Sequence, residues 1–167
     1  MNQSHSFEPF RSLAPLALLG VASLVLVASS AAGAAAAKQR VQMEARLKVA
    51  ESGTFVLRPV SRGPLASDSG TFSFDASQKR LVRGGQSVIV FTVTSTWQGR
   101  RGSLVIRERV DDVAAGSGYR VGTGVWSLVS ARGTGQYAEL SGSGRSAYVV
   151  TPGERVLSRW EGIVDKP

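Results

Sequence analysis

Apolar and polar residues alternate strictly in the first stretch that follows the N-terminal segment. Glutamine, glutamate, arginine and lysine separate five apolar residues, Val41, Met43, Ala45, Leu47 and Val49. A period of two is typical of a β-strand with one face buried and the other in water. The pattern therefore predicts a half-buried strand over residues 41–49.

The rest of the chain consists of short runs rich in β-branched and aromatic residues, separated by turns that contain glycine or proline. The further predicted strands are residues 54–60, 86–97, 103–110, 119–131, 136–140, 145–151 and 155–164, with another strand entry at residues 69–72. Residues 62–69, 79–85 and 111–118 are predicted loops or turns. No helical apolar stripe occurs outside the N-terminal segment, so the pattern predicts an all-β fold, either an antiparallel barrel or a sandwich.

The N-terminal segment has the composition of a secretion signal. Arg11 precedes an apolar run that begins at Leu13, and a tail of small residues ends at Ala37. This order predicts a cleaved signal peptide helix over residues 1–37, a folded domain over residues 38–167, and a secreted or extracytoplasmic protein. The alternative is an uncleaved membrane anchor, because the run from Leu13 to Ala37 is long enough to span a bilayer.

The formal net charge of +8 lies in the predicted mature part and favours anionic partners. The basic residues are scattered, however, and the tightest clusters are Lys79, Arg80 and Arg83, and Arg100, Arg101, Arg107 and Arg109. Neither cluster reaches the length of a basic tail. We therefore do not expect a nucleic-acid site, and a basic surface that binds anionic polymers stays an alternative.

Three residue types that many catalytic and metal sites need are missing from the predicted mature part. The chain has no cysteine, and its one histidine, His5, and one asparagine, Asn2, lie in the N-terminal segment. This excludes Ser-His-Asp and Cys-His nucleophile systems, zinc sites with His or Cys ligands, disulfides and N-glycosylation within the domain. We predict neither a cofactor nor a metal site.

A Gly-Thr-Gly followed two residues later by an aromatic residue occurs twice, as GTGVW at residues 122–126 and GTGQY at residues 133–137. The second copy, with Gly142 and Gly144 downstream, follows Phe91-Thr92 at a strand start and Gly102-Ser103-Leu104 after a turn. In order and spacing, these three features resemble the plant dirigent proteins and allene oxide cyclases. The chain looks like a bacterial-type secreted member of that family.

The resemblance implies a single antiparallel eight-stranded β-barrel, calycin-like, with one small interior cavity and a tendency to form homo-oligomers. A barrel of eight strands is just wide enough to be filled by side chains or to hold one small ligand. The cyclases act by preorganising a hydrophobic substrate around a few polar groups, one of them acidic. No acidic residue here aligns with a motif position, so the resemblance does not carry that activity over.

Glu108 is the candidate for acid or base chemistry. It shares the parity of Leu104, Ile106 and Val110, so it faces the interior if those residues do. Burial would then raise the pKa of its carboxyl group into a range useful for proton transfer. The alternatives are that the alternation slips near the end of the strand, or that Glu108 pairs with an arginine on a neighbouring strand.

Aromatic residues are the candidates for the wall of a binding cavity, namely Trp97, Tyr119, Trp126, Tyr137 and Tyr148. The alternative for each is a purely structural place in the core. The favoured function is non-catalytic binding of a small apolar ligand, or a structural role. There are two alternatives. One is a cofactor-free isomerase or cyclase of the allene oxide cyclase type that uses Glu108, and the other is a basic surface that binds anionic polymers.

Overall fold

The computed structural model describes residues 38–49 and 52–167, so the predicted signal peptide lies outside the described residues. The strands are β1 (Gln39–Lys48), β2 (Gly53–Pro59), β3 (Asp68–Arg83), β4 (Gln86–Gly99), β5 (Gly102–Gly116), β6 (Tyr119–Leu128), β7 (Ser141–Val150) and β8 (Arg155–Asp165). Each pairs antiparallel with the next along the chain, and β1 also pairs with β8. One sheet thus closes into a barrel-like ring, and the predicted all-β antiparallel fold is confirmed in this form.

Closure removes the free edges that an open sheet would expose between β1 and β8. The alternation of each strand then sorts residues to the inside or the outside of the ring. Four aromatic side chains fill the middle of the interior. The ring centroid of Trp97 lies 4.9 Å from that of Phe55, 5.2 Å from that of Phe72 and 4.9 Å from that of Trp160.

The segment between β6 and β7 covers one end of the ring, which we call the closed end. It contains two short 3-10 helices, Ser130–Arg132 and Gly135–Tyr137, and it buries Tyr137 and Leu140 in the core. The strand predicted over residues 136–140 is therefore wrong. The amide of Gln136 donates instead to the carbonyl of Arg101 (2.8 Å), which holds the segment against the β4–β5 turn.

Asp68 ties the closed end together. Its carboxylate accepts a 2.6 Å hydrogen bond from the Tyr137 hydroxyl and bonds from the backbone amides of Ser69, Arg100 and Arg101. Burial acts to raise the pKa of Asp68, but these four hydrogen bonds together outweigh it and lower the pKa. Burial raises the pKa of Tyr137, and its hydrogen bond to Asp68 raises it further, so Tyr137 stays a protonated donor.

Two predicted turns are wrong because the strands beside them are longer. The turn predicted over residues 79–85 belongs mostly to β3, and only Gly84 and Gly85 form the turn, both at positive φ. The loop predicted over residues 111–118 belongs mostly to β5, which ends at Gly116. Neither short helix in the described ranges approaches the length and apolar character that a membrane-crossing helix needs.

Candidate functional site

A cavity of about 280 Å³ lies inside the ring, away from the closed end, and we call this the cavity end. It lies where β3 extends beyond its pairing with β2, which stops at Phe72. Every strand except β2 contributes to its wall. The wall is mostly apolar and consists of Leu47, Val49, Phe72, Phe74, Ala76, Phe91, Val93, Ser95, Val110, Arg120, Tyr148, Val150, Val156, Ser158 and Trp160.

Two glycines on the inner face of β6 shape the polar side of this interior. A Cβ on Gly122 would lie 2.4 Å from the ring of Tyr148, and a Cβ on Gly124 would lie 2.8 Å from Ser146 Oγ. Because both positions lack a side chain, hydroxyl groups of β7 reach across β6 to carboxylates of β5. The passage of these hydroxyl groups explains the glycines of the first Gly-Thr-Gly copy. It does not explain those of the second copy, which lies in the closed-end segment.

Asp112 is the first carboxylate reached in this way, and it is 1% exposed. The Tyr148 hydroxyl donates to its Oδ2, and Arg120 Nε donates to its Oδ1 at 2.9 Å. Burial raises the pKa of Tyr148, and its bond to Asp112 raises it further, so Tyr148 remains protonated. Arg120 Cζ also lies 5.9 Å from the ring centroid of Phe91. The cluster places one guanidinium and one phenol at the cavity.

Glu108 is the second carboxylate, and it faces the interior with 6% of its surface exposed. Ser146 Oγ donates to its Oε1. Burial raises the pKa of Glu108, and donors on Ser146 and Trp160 reduce the rise. Ser146 contributes more to this reduction than Trp160, whose Nε1 makes no hydrogen bond of normal geometry with any described residue. Glu108 does not line the cavity, although its cross-strand neighbour Val93 does.

Only Tyr148 of the five aromatic candidates lines the cavity. Trp97 is fully buried in the aromatic cluster, and its Nε1 donates to Ser95 Oγ at 2.7 Å. Trp126 is buried with its Nε1 bonded to a carbonyl of β7, and Tyr137 lies at the closed end. Tyr119 is 44% exposed at the start of β6. The structure therefore brings Tyr148 to the cavity and keeps the other four away from its wall.

Sequence reasoning missed Asp112, Arg120 and Ser146. The parity that placed Glu108 inside continues through Val110 to Asp112, but the predicted strand stopped at Val110. The inner face of β6 likewise includes Arg120 together with the two glycines. A signal for Asp112 was thus present in the alternation, and two acidic neighbours were mistaken for a loop.

The chain matches no protein-family model, and no curated protein matches it.

Proposed function

We propose that the ring binds a small, largely apolar ligand in the cavity, without catalysis. The observation that carries this proposal is the interior cavity itself, with an apolar wall from seven strands and a few converging polar groups. This composition is typical of small-molecule sites, and a volume of about 280 Å³ lies near the lower end of their usual range of about 300–1,000 Å³. The ligand is accordingly small.

The proposal agrees with a calycin-like barrel and with the resemblance to the dirigent and allene oxide cyclase family, whose barrels hold one small cavity. The aromatic cluster supports it physically. Phe72 and Trp160 form part of the cavity wall and pack against Trp97, which is fully buried. Wall side chains packed in this way hold their positions without a ligand, so binding need not order them.

The first test is native mass spectrometry of the full chain, purified without added ligand. An added mass that is lost on denaturation supports the proposal, and the number of chains in each ion tests the predicted homo-oligomer. In parallel, the neutral fluorescent probe N-phenyl-1-naphthylamine is titrated into the protein. Saturable binding is expected, and a complete absence of both signals would contradict the proposal.

A matched pair of variants locates the binding. Ala76 lies on the cavity wall, and Ser77, the next residue of β3, lies on the opposite face; both are exposed. Ala76→Trp fills part of the cavity and is expected to weaken probe binding at least tenfold, whereas Ser77→Trp leaves it unchanged. Equal effects of the two substitutions would place the probe elsewhere.

A cofactor-free isomerase or cyclase is the second candidate. The observation that favours it is Glu108, a buried carboxyl with a raised pKa. It lies directly across the β4–β5 pair from Val93, a residue of the cavity wall. The compound identified by native mass spectrometry would be incubated with the wild-type protein and with Glu108→Gln, and followed by NMR. Conversion by the wild type alone supports this candidate, and an unchanged compound in both samples rejects it.

A further inference from the structure

Arg120 is the one cationic residue on the described cavity wall. Among the described residues, its hydrogen bond and its ion pair are both made by Nε, to Asp112 Oδ1. Nη1 and Nη2 make no hydrogen bond with any described residue, and the side chain is 35% exposed. Nη1 and Nη2 of the guanidinium are therefore free to donate to a ligand at a mostly apolar site.

The neighbours of Arg120 hold the guanidinium in place. Asp112 fixes Nε from the buried side and is itself held by the Tyr148 hydroxyl. The Phe91 ring lies under Cζ. Because the group is planar and already oriented, little side-chain freedom is lost when a ligand binds it. This arrangement suits a planar acceptor that takes two parallel hydrogen bonds.

We propose, resting on the function proposed above, that Arg120 is a subsite for the carboxylate of a short apolar acid. The carboxylate accepts hydrogen bonds from Nη1 and Nη2, and the hydrocarbon part lies against the apolar wall of the cavity. The cavity volume of about 280 Å³ restricts that part to a small group. Asp112 offsets the charge of Arg120 and opposes the binding of a second carboxylate. The preference for a carboxylate over a neutral head group therefore comes mainly from the two hydrogen bonds of Nη1 and Nη2.

The test compares octanoate with 1-octanol, which share an eight-carbon chain and differ in the head group. Both are titrated into the full chain at neutral pH by calorimetry. The wild-type protein is expected to bind octanoate roughly tenfold or more tightly than 1-octanol, as for hydrogen bonds to a charged group. Equal affinities would overturn the subsite and leave the cavity proposal standing, whereas no binding of either compound would overturn both.

Arg120→Gln is the informative variant. Glutamine Nε2 is bonded to Cδ, as arginine Nε is, so the variant can keep the bond to Asp112 while it loses Nη1 and Nη2. Octanoate binding is expected to fall roughly tenfold, to the level of 1-octanol, which is unchanged. Arg109→Gln, an exposed residue on the outside of β5, is the control for the lost charge and should change neither affinity. An equal loss of both compounds in Arg120→Gln would overturn the subsite.

Asp112→Asn gives a result of opposite sign. The asparagine Oδ1 can still accept from Arg120 Nε, but the negative charge beside the guanidinium is gone. Octanoate is expected to bind more tightly than to the wild type, with 1-octanol unchanged, a gain that a merely structural role would not produce. Should Arg120→Gln fail to fold, the double variant with Asp112→Asn leaves no unpaired buried charge and should show the same octanoate loss. Octanoate affinity at the wild-type level in that double variant would also overturn the subsite.

Discussion

Gly122→Ala tests whether the glycines of β6 create the polar side of the cavity. Gly122 is buried, faces inward and is not at positive φ, so the added methyl group strains the structure only through its contacts. Its Cβ would lie 2.4 Å from Cε1 and Cζ of Tyr148. The Tyr148 ring must move, and its hydroxyl then loses good geometry with Asp112.

The magnitude follows from three terms of different sign. Alanine in a strand is favoured over glycine by about 0.5–1 kcal/mol. Over-packing against the ring costs about 1–3 kcal/mol, and a weakened hydrogen bond to the buried Asp112 carboxylate costs up to about 3 kcal/mol. At the middle of these ranges the two unfavourable terms exceed the favourable one, so we expect the free energy of unfolding to fall by about 3 kcal/mol.

Urea unfolding followed by tryptophan fluorescence measures this change, with the m value expected to stay constant. Gly153→Ala is the matched control, because a Cβ there meets no atom closer than 4.0 Å and the φ angle is ordinary. The control should shift stability by less than about 0.5 kcal/mol. In a Tyr148→Leu background the ring is absent, so the cost of Gly122→Ala should fall by more than about 1 kcal/mol. A neutral or stabilising Gly122→Ala, or the same cost in both backgrounds, would refute the reasoning.

Three further changes test the carboxylates. Tyr137→Phe removes the 2.6 Å bond to Asp68, and the free energy of unfolding at neutral pH should fall by about 1–3 kcal/mol; no change in the urea midpoint would contradict this. The pKa of Asp68 is lower in the folded than in the unfolded chain, so its contribution to stability is present above the unfolded pKa of about 4 and is lost as the pH falls through the folded value. When the free energy of unfolding is measured at decreasing pH, it should therefore fall less for Asp68→Asn than for the wild type. The pKa of Glu108 is raised, so its ionisation lowers stability at neutral pH and stability returns as the pH falls towards about 4. Glu108→Gln, which can still accept from Ser146, should be at least as stable as the wild type at pH 7 and should lack this gain; a clearly less stable variant would argue against a raised pKa.

The regular alternation of β1 and the β-branched run of β4 were sufficient to predict those strands, because a period of two directly encodes which face is buried. The parity of β5 likewise predicted that Glu108 shares the face of Leu104, Ile106 and Val110, which is the buried one. Prediction failed where charges interrupt a strand. Asp111 and Asp112 suggested a loop, but on opposite faces each finds an arginine, Arg83 outside and Arg120 inside. Such cross-strand partners depend on register, which a local pattern does not contain.

The closed-end segment failed for a related reason. Residues 136–140 carry a strand-like mixture of polar and apolar residues, yet their backbone bonds go to the β4–β5 turn and to their own 3-10 turn. Asp68, 69 residues away from Tyr137, completes the arrangement. Long-range contacts of this kind decide between a strand and a turn when local propensity is balanced.

The two ends of the ring use buried carboxylates differently, and the difference bears on function. At the closed end, Asp68 satisfies three backbone amides and one hydroxyl, so its carboxylate has an evident structural task. At the cavity end, Asp112 binds only side chains, those of Tyr148 and Arg120. A buried ion pair of this sort is weak evidence for stability, since well-packed apolar residues of similar volume often do as well or better. The presence of the Asp112–Arg120 ion pair is easier to understand if the guanidinium also binds a ligand. The comparison of octanoate with 1-octanol measures that binding directly.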